Sequence, residues 1–188
     1  KLMLTKKILI GLSLVATLFL SNCSSFESSF DKQMKKEFIM VPLSSNNLAD
    51  MKKASTLLVS CIDFRLRDET SNLMENIFEL SDQYDEVAIP GAALALVQQD
   101  GNLAHWGKTL IDIIEIAQQL HDIKRVIFLD HRSCGAYKKI LGKNALKNGA
   151  EAHKKAFSKA RQIFKSKFPG IEVHTLLMGL DGKVEIFK

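Results

Sequence analysis

Two apolar, β-prone runs break off at reactive side chains, and this pairing constrains the chain more than any other feature. Leu57-Leu58-Val59-Ser60 runs into Cys61-Ile62-Asp63-Phe64-Arg65, and seventy residues later Val126-Ile127-Phe128-Leu129 runs up to His131-Arg132-Ser133-Cys134. Short continuous apolar runs read as strands buried on both faces of a parallel sheet. Open α/β sheets present their ligands just beyond the strand ends. Cys61, His131 and Cys134 are therefore expected on one rim.

Two thiolates and one imidazole make a three-ligand zinc set with one tetrahedral position free for water. Such a site does chemistry rather than only stapling a fold. Cys134 also opens a predicted helix, where backbone amides and the helix dipole favour the thiolate. Zinc held by two thiolates and an imidazole carries little net charge and acidifies water less than a three-histidine site would. A hydrogen-bonding neighbour then helps, and Asp63, with Arg65 beside it, is placed to supply it. The outline is that of a zinc hydratase.

The rest of the pattern is α/β. A strand is expected over Thr56–Cys61, and a helix over Asp68–Leu80 with Leu73, Ile77 and Leu80 inward. A second strand follows at Glu86–Pro90, stopped by Pro90-Gly91. The clearest helix is Asn102–His121, with an apolar stripe of Leu103, Trp106, Leu110, Ile113, Ile114, Ala117 and Leu120. Core packing accounts for Trp106 better than a binding role. A third strand spans Arg125–Asp130, then come helices at Cys134–Leu141 and Ala150–Phe168. A fourth strand covers Glu172–Met178. Asp181-Gly182 signals a hairpin turn, and Lys183–Phe187 returns antiparallel. The fold class is thus a mostly parallel sheet flanked by helices, ending in an antiparallel hairpin strand.

At the start, Lys6 and Lys7 precede the 13-residue apolar run Ile8–Leu20, which ends at Ser21-Asn22-Cys23. A basic start and a short apolar run read as a secretory signal, and about 20 apolar residues are needed to span a bilayer. Leu20-Ser21-Asn22-Cys23 resembles the lipobox of bacterial lipoproteins, which makes Cys23 the lipidation site. The organisation expected is a lipoprotein-type signal over 1–22, a tether and N-terminal arm over 23–55, and the zinc domain over 56–188. The arm carries one weak helical stretch near Lys32–Phe38 and a loop at Ser44–Asn47. The chain is then bound for the cell envelope, on the periplasmic side, held at the membrane by its lipid. Three of the 26 basic residues and none of the 21 acids lie in 1–22, so the net charge falls from +5 to about +2 without them. That balance does not imply nucleic acid. The stretch Lys138–Lys167 holds ten basic residues and one acid, and reads as a solvated basic face.

The pair C-x-D-x-R and H-x-x-C, with Gly135-Ala136 following, resembles the β-class carbonic anhydrases from about Thr56 to the C-terminus. The resemblance implies that Cys61, His131 and Cys134 are the zinc ligands and that Asp63 and Arg65 form the catalytic dyad. Arg65 then holds Asp63 off the metal, and Asp63 accepts a hydrogen bond from the zinc-bound hydroxide that attacks carbon dioxide to give bicarbonate. It also places Gly91 and Gly135 beside the substrate, and implies a homodimer or higher homo-oligomer. Some members have a closed form in which the aspartate takes the fourth metal position. Two departures stand out: Phe64 where the family often has serine, and Ala88-Ile89-Pro90-Gly91 where it often has Arg-Asn-Ala-Gly. Relatives on this scaffold hydrolyse carbonyl sulfide or carbon disulfide with the same ligands, which gives an alternative substrate class.

Two rivals compete on the residues. Cys61 and Cys134 could form a disulfide in a non-catalytic envelope lipoprotein. Cys61 and Arg67 also satisfy C-x5-R, the spacing of oxyanion-cradling phosphatase and rhodanese loops, but the intervening loop has no glycine and carries an acid.

Overall fold

The computed structural model describes residues 28–42 and 48–188. The expected signal, the Cys23 lipid site and the Ser44–Asn47 loop lie outside those residues. The chain divides into two compact units, Lys1–Asn46 and Asn47–Lys188. In the first, α1 spans Ser29–Met34, started by the Ser28 side chain, which accepts from the Asp31 amide. The helix is shorter than the Lys32–Phe38 stretch suggests and begins three residues earlier. Phe30, Met34, Phe38, Met40 and Val41 are all exposed.

The second unit is an α/β fold around five strands: β1 Thr56–Ser60, β2 Tyr84–Ala88, β3 Arg125–His131, β4 Glu172–Met178 and β5 Val184–Phe187. Their order is β2-β1-β3-β4-β5, parallel throughout except for the β4–β5 hairpin. β1 and β3 are central and almost wholly buried, as their unbroken apolar runs require. β2 is an edge strand with alternating partial exposure. It begins at Tyr84, two residues before the expected start, because Tyr84 and Asp85 pair with Thr56 and Leu57 despite their polarity. It ends before Pro90, which has no amide to offer the ladder.

Helices cover both faces unequally. On one face Leu57, Val59, Val126, Phe128 and Leu177 pack under α3 (Ala93–Leu96), α4 (Ala104–His121), α5 (Gly135–Leu141) and α6 (Glu151–Lys167). On the other, Leu58, Ile127, Leu129, Leu176 and Met178 meet Leu66, Leu73, Met74 and Leu80, which come from the segment around α2 (Arg67–Asn72).

Two side-chain expectations fail here. Ile77 is 65% exposed. The helix after Asn72 widens into a π turn over Leu73–Ile77, with the Phe78 amide bonded to Leu73 O, which rotates Ile77 outward and turns Met74 into the core. Leu120 is 67% exposed in the last turn of α4, whose buried stripe runs instead through Gly107, Leu110, Ile111, Ile114 and Ala117. Gly107 is on that stripe because a Cβ there would lie 2.2 Å from the Gln98 carbonyl oxygen.

Candidate metal centre

Because β1 and β3 are parallel neighbours with Ser60 opposite Leu129, their carboxyl ends finish side by side. Cys61 is the first residue past β1, and His131 is the last of β3. Ser133 turns the chain with a left-handed φ of 64°, and Cys134 caps the start of α5. The topology thus brings together a cysteine and a histidine seventy residues apart. The Cys61 and Cys134 sulfurs and a His131 ring nitrogen all lie within 4.8 Å of one another.

The geometry suits a metal. Both cysteines are free, with Sγ atoms 3.8 Å apart. That exceeds the bonded S–S length of about 2.05 Å, and matches the roughly 3.8 Å between two thiolates about 2.3 Å from one tetrahedral zinc. His131 Nδ1 faces its neighbour's carbonyl, Arg132 O, at 2.9 Å. A carbonyl only accepts, so Nδ1 carries a proton and Nε2 is the atom left to ligate. This Nε2 is buried and has no hydrogen-bond partner among the described residues. A ring oriented by one nitrogen and left open at the other is the usual state of a ligating histidine. The donor set therefore fits zinc.

The charges agree with that reading. The Cys61 thiol is pushed down to about 4, chiefly by the Cys134 sulfhydryl that donates to it, with His131 and the Gly91 amide adding and burial opposing. Cys134 moves up, because it is the donor to that thiolate and because it is buried. Ligands bind as thiolates, so metal binding at this pair is coupled to proton release. Burial works against a charged His131, yet Cys61 and Asp63 hold its ring above the ordinary value.

Asp63 and Arg65 are assembled locally. Asp63 caps the short 3-10 turn Phe64–Leu66, with Oδ1 accepting from the Arg65 amide at 3.2 Å. That turn folds the guanidinium back, so Arg65 Nε donates to Oδ1 at 2.8 Å and Nη2 to Oδ2 at 2.6 Å. The fork holds the Asp63 carboxyl down at about 2. Asp63 Oδ2 lies 3.6 Å from His131 Nε2, so the carboxylate stands beside the Cys–His–Cys cluster but is bound by the arginine.

A cleft of about 650 Å³ opens over the cluster. Besides the ligands and the Asp63–Arg65 pair, it is lined by Ile62, Phe64, Pro90, Trp106, Ala136 and Ile140, with Lys139 and Gly135. Trp106 packs against the core as expected but also forms a wall of this cleft, so the reading that left it no place at the site is corrected. Gly135, Ala136, Lys139 and Ile140 share one face of α5 by their spacing, a sign that was present in the sequence. Gly91 stands behind the cluster: its amide donates to Cys61 Sγ at 3.4 Å, and it is Pro90 that reaches the cleft. Its φ is +83°, and a Cβ there would press on Leu94 and Ala136. Next to it, buried Ala92 is held at φ 44° and ψ −102°, a conformation that costs about 1–3 kcal/mol for a non-glycine residue.

His153, although followed by Lys154 and Lys155, is 1% exposed. Its Nδ1 donates to Asp130 Oδ2 at 2.8 Å, the Tyr137 hydroxyl donates to the same oxygen, and the Ala93 amide donates to Oδ1 at 3.0 Å. Burial raises Asp130 above the usual carboxylate range, with His153, Tyr137 and Ala93 opposing. The other histidines remain outside the site: His121 pairs with Asp85, and His174 and His105 are exposed. Arg67 pairs with Glu86 at 2.6 Å and does not line the cleft, which removes the C-x5-R reading.

The sequence model of the family described as "Putative carbonic anhydrase" matches residues 51–188. An uncharacterized protein of Rickettsia bellii is 51% identical over 153 residues, covering 80% of this chain and 92% of its own. One of Rickettsia conorii is 45% identical over 183 residues, covering 96% and 94%. Among solved structures, the β-carbonic anhydrase CafA of Aspergillus fumigatus is similar at 17% identity, with a TM-score of 0.48 over 75% of this chain and 78% of that one.

Proposed function

This chain belongs to the family described as "Putative carbonic anhydrase", and on that premise we propose that it catalyses the zinc-dependent, reversible hydration of carbon dioxide to bicarbonate. One observation carries the reading: two sulfurs and a bare, buried imidazole nitrogen converge beside a carboxylate gripped by an arginine. Cys61, His131 and Cys134 would hold the zinc. When bound, zinc supplies the Lewis acidity that makes water nucleophilic near neutral pH.

The chain's own residues do the rest. Arg65 keeps Asp63 ionised and aimed at the ligands. Held at about 2, Asp63 is too weak a base to keep a proton near neutrality. Its part is to accept a hydrogen bond and orient the attacking water, while the proton released by hydration passes to solvent. Ile62, Phe64, Pro90, Trp106, Ala136 and Ile140 give an apolar approach suited to a small uncharged molecule, and Arg65 and Lys139 offer positive charge to an anionic product. The same apolar walls favour a second reading, hydrolysis of carbonyl sulfide or carbon disulfide by the same residues.

The test is zinc per chain, with carbon dioxide hydration assayed on the same sample. About one zinc per chain and hydration abolished by a chelator support the first reading. Zinc without hydration, but with turnover of carbonyl sulfide or carbon disulfide, supports the second. A protein that takes up no zinc sinks both.

The placement of the enzyme is part of the proposal. Residues 1–22 act as a lipoprotein-type signal, Cys23 carries the lipid, residues 23–55 tether the 56–188 zinc domain, and the protein is a homodimer or larger on the periplasmic side of the envelope. Cys23→Ser should move the protein out of the membrane fraction, and sedimentation should give at least a dimer.

A further inference from the structure

Asp130 and His131 are consecutive strand residues, so their side chains leave β3 on opposite faces. His131 joins the sulfurs, and Asp130 turns into the larger core. There its carboxylate takes three hydrogen bonds, all buried, from three separate segments: the Ala93 amide at the start of α3, the Tyr137 hydroxyl on α5 and His153 Nδ1 on α6. Two of these segments also act on the metal ligands. Two residues before Ala93, the Gly91 amide donates to Cys61 Sγ. Three residues before Tyr137 is Cys134, whose sulfur faces the amides of Ala136 and Tyr137.

We propose that Asp130 is a positioning residue of the metal centre: its buried carboxylate, through Ala93, Tyr137 and His153, fixes the Gly91 amide on Cys61 and the α5 start on Cys134. The inference rests on the metal reading above. Ala92 explains why a clamp is needed. Its positive φ is unfavourable for a residue with a Cβ, and such a conformation persists only where its surroundings over-determine it. The Asp130–Ala93 bond is applied one residue beyond that point. His153 completes the clamp: because Asp130 accepts at Nδ1, the proton is on Nδ1, and Nε2 is buried with no partner among the described residues. The ring therefore makes its one hydrogen bond to Asp130, and its face lies on Tyr137 with centroids 4.1 Å apart.

The test uses the full chain loaded with cobalt(II) or zinc. Tyr137→Phe removes one hydroxyl, and His153→Phe removes one donor while keeping an aromatic ring. Phe164→Leu trims the same core at a ring packed on Phe128 and Phe168 rather than on His153, and serves as the control. Supporting residues of a metal site change affinity by about 10–100-fold when lost. Tyr137→Phe and His153→Phe should each lose metal to a competing chelator about 10-fold faster than the parent and shift the cobalt–thiolate absorption bands. Phe164→Leu should lower the melting temperature yet keep the parent's spectrum and its metal retention. Variants that melt lower but keep the parent's spectrum and retention overturn the inference and leave the metal reading intact. A parent chain that takes up neither cobalt nor zinc overturns both.

Discussion

Asp63 and Asp130 are two aspartates at one end of the same sheet, held by opposite means. Asp63 lies at the cleft, and a single guanidinium two residues away grips it and lowers its carboxyl to about 2. Asp130 is fully buried, takes its three donors from partners 7, 23 and 37 residues away, and is pushed upward by burial. A charged partner in reach of water makes a half-buried carboxylate that stays ionised and lines the cleft. Buried donors in the core make a fixed point that other segments are built around. In the function proposed above, the first arrangement serves chemistry and adds little to stability. The second serves architecture and reaches the chemistry only through backbone.

Removing a ligand sets the upper bound on either role. Cys61→Ser and His131→Ala should abolish both stoichiometric zinc, read by metal analysis, and hydration. Next in size is Asp130→Ala, which leaves three buried donors without an acceptor. It should cost about 3–5 kcal/mol of folding stability in urea titrations, and a cost under about 1 kcal/mol would erase the contrast. Asp63→Asn should do the reverse: zinc retained, stability changed by less than about 1 kcal/mol, and hydration reduced about 100-fold. Full activity in that variant would remove Asp63 from the mechanism.

The smallest effect is in pH dependence. In the parent, the Asp63–Arg65 contribution to stability is complete above the ordinary aspartate value of about 3.9, and is lost as pH falls through about 2. Arg65→Gln removes the main cause, so the carboxyl should rise toward its ordinary value. The stability difference between parent and variant should then be flat above about pH 4 and close between about pH 4 and 2. A difference that persists unchanged down to pH 2 would mean that the fork does not set the Asp63 titration.

The same contrast explains what could be read from the chain. The convergence of Cys61, His131 and Cys134 and the Asp63–Arg65 pair were legible because each lies next to a strand whose apolar run marks its end, and because Asp63 and Arg65 meet through one local turn. β4 and the hairpin were legible for the same local reasons. Asp130 looked like the last residue of an apolar strand, and nothing near it in sequence announces Tyr137, His153 or Ala93. His153 carries no local sign of burial, with Lys154 and Lys155 following it, although helical geometry turns it to the inner face of α6 with Ala156, Phe157 and Ala160. Ile77 was misplaced because residue spacing does not reveal a π turn. Trp106 was read only as core because the cleft exists only once the cysteine loops and α5 have met.

The β1–β3 pairing has a kinetic consequence. Cys61 and Cys134 stand 73 residues apart in the chain, and the parallel ladder is what brings their loops together. Closing so long a loop is entropically costly and slow compared with forming a helix or hairpin. Two of the three donors, His131 and Cys134, therefore come together within one local turn, while Cys61 arrives only when the central strands dock. Tight metal capture should report that docking event, so a metal indicator added to refolding protein would act as a clock for assembly of the sheet itself.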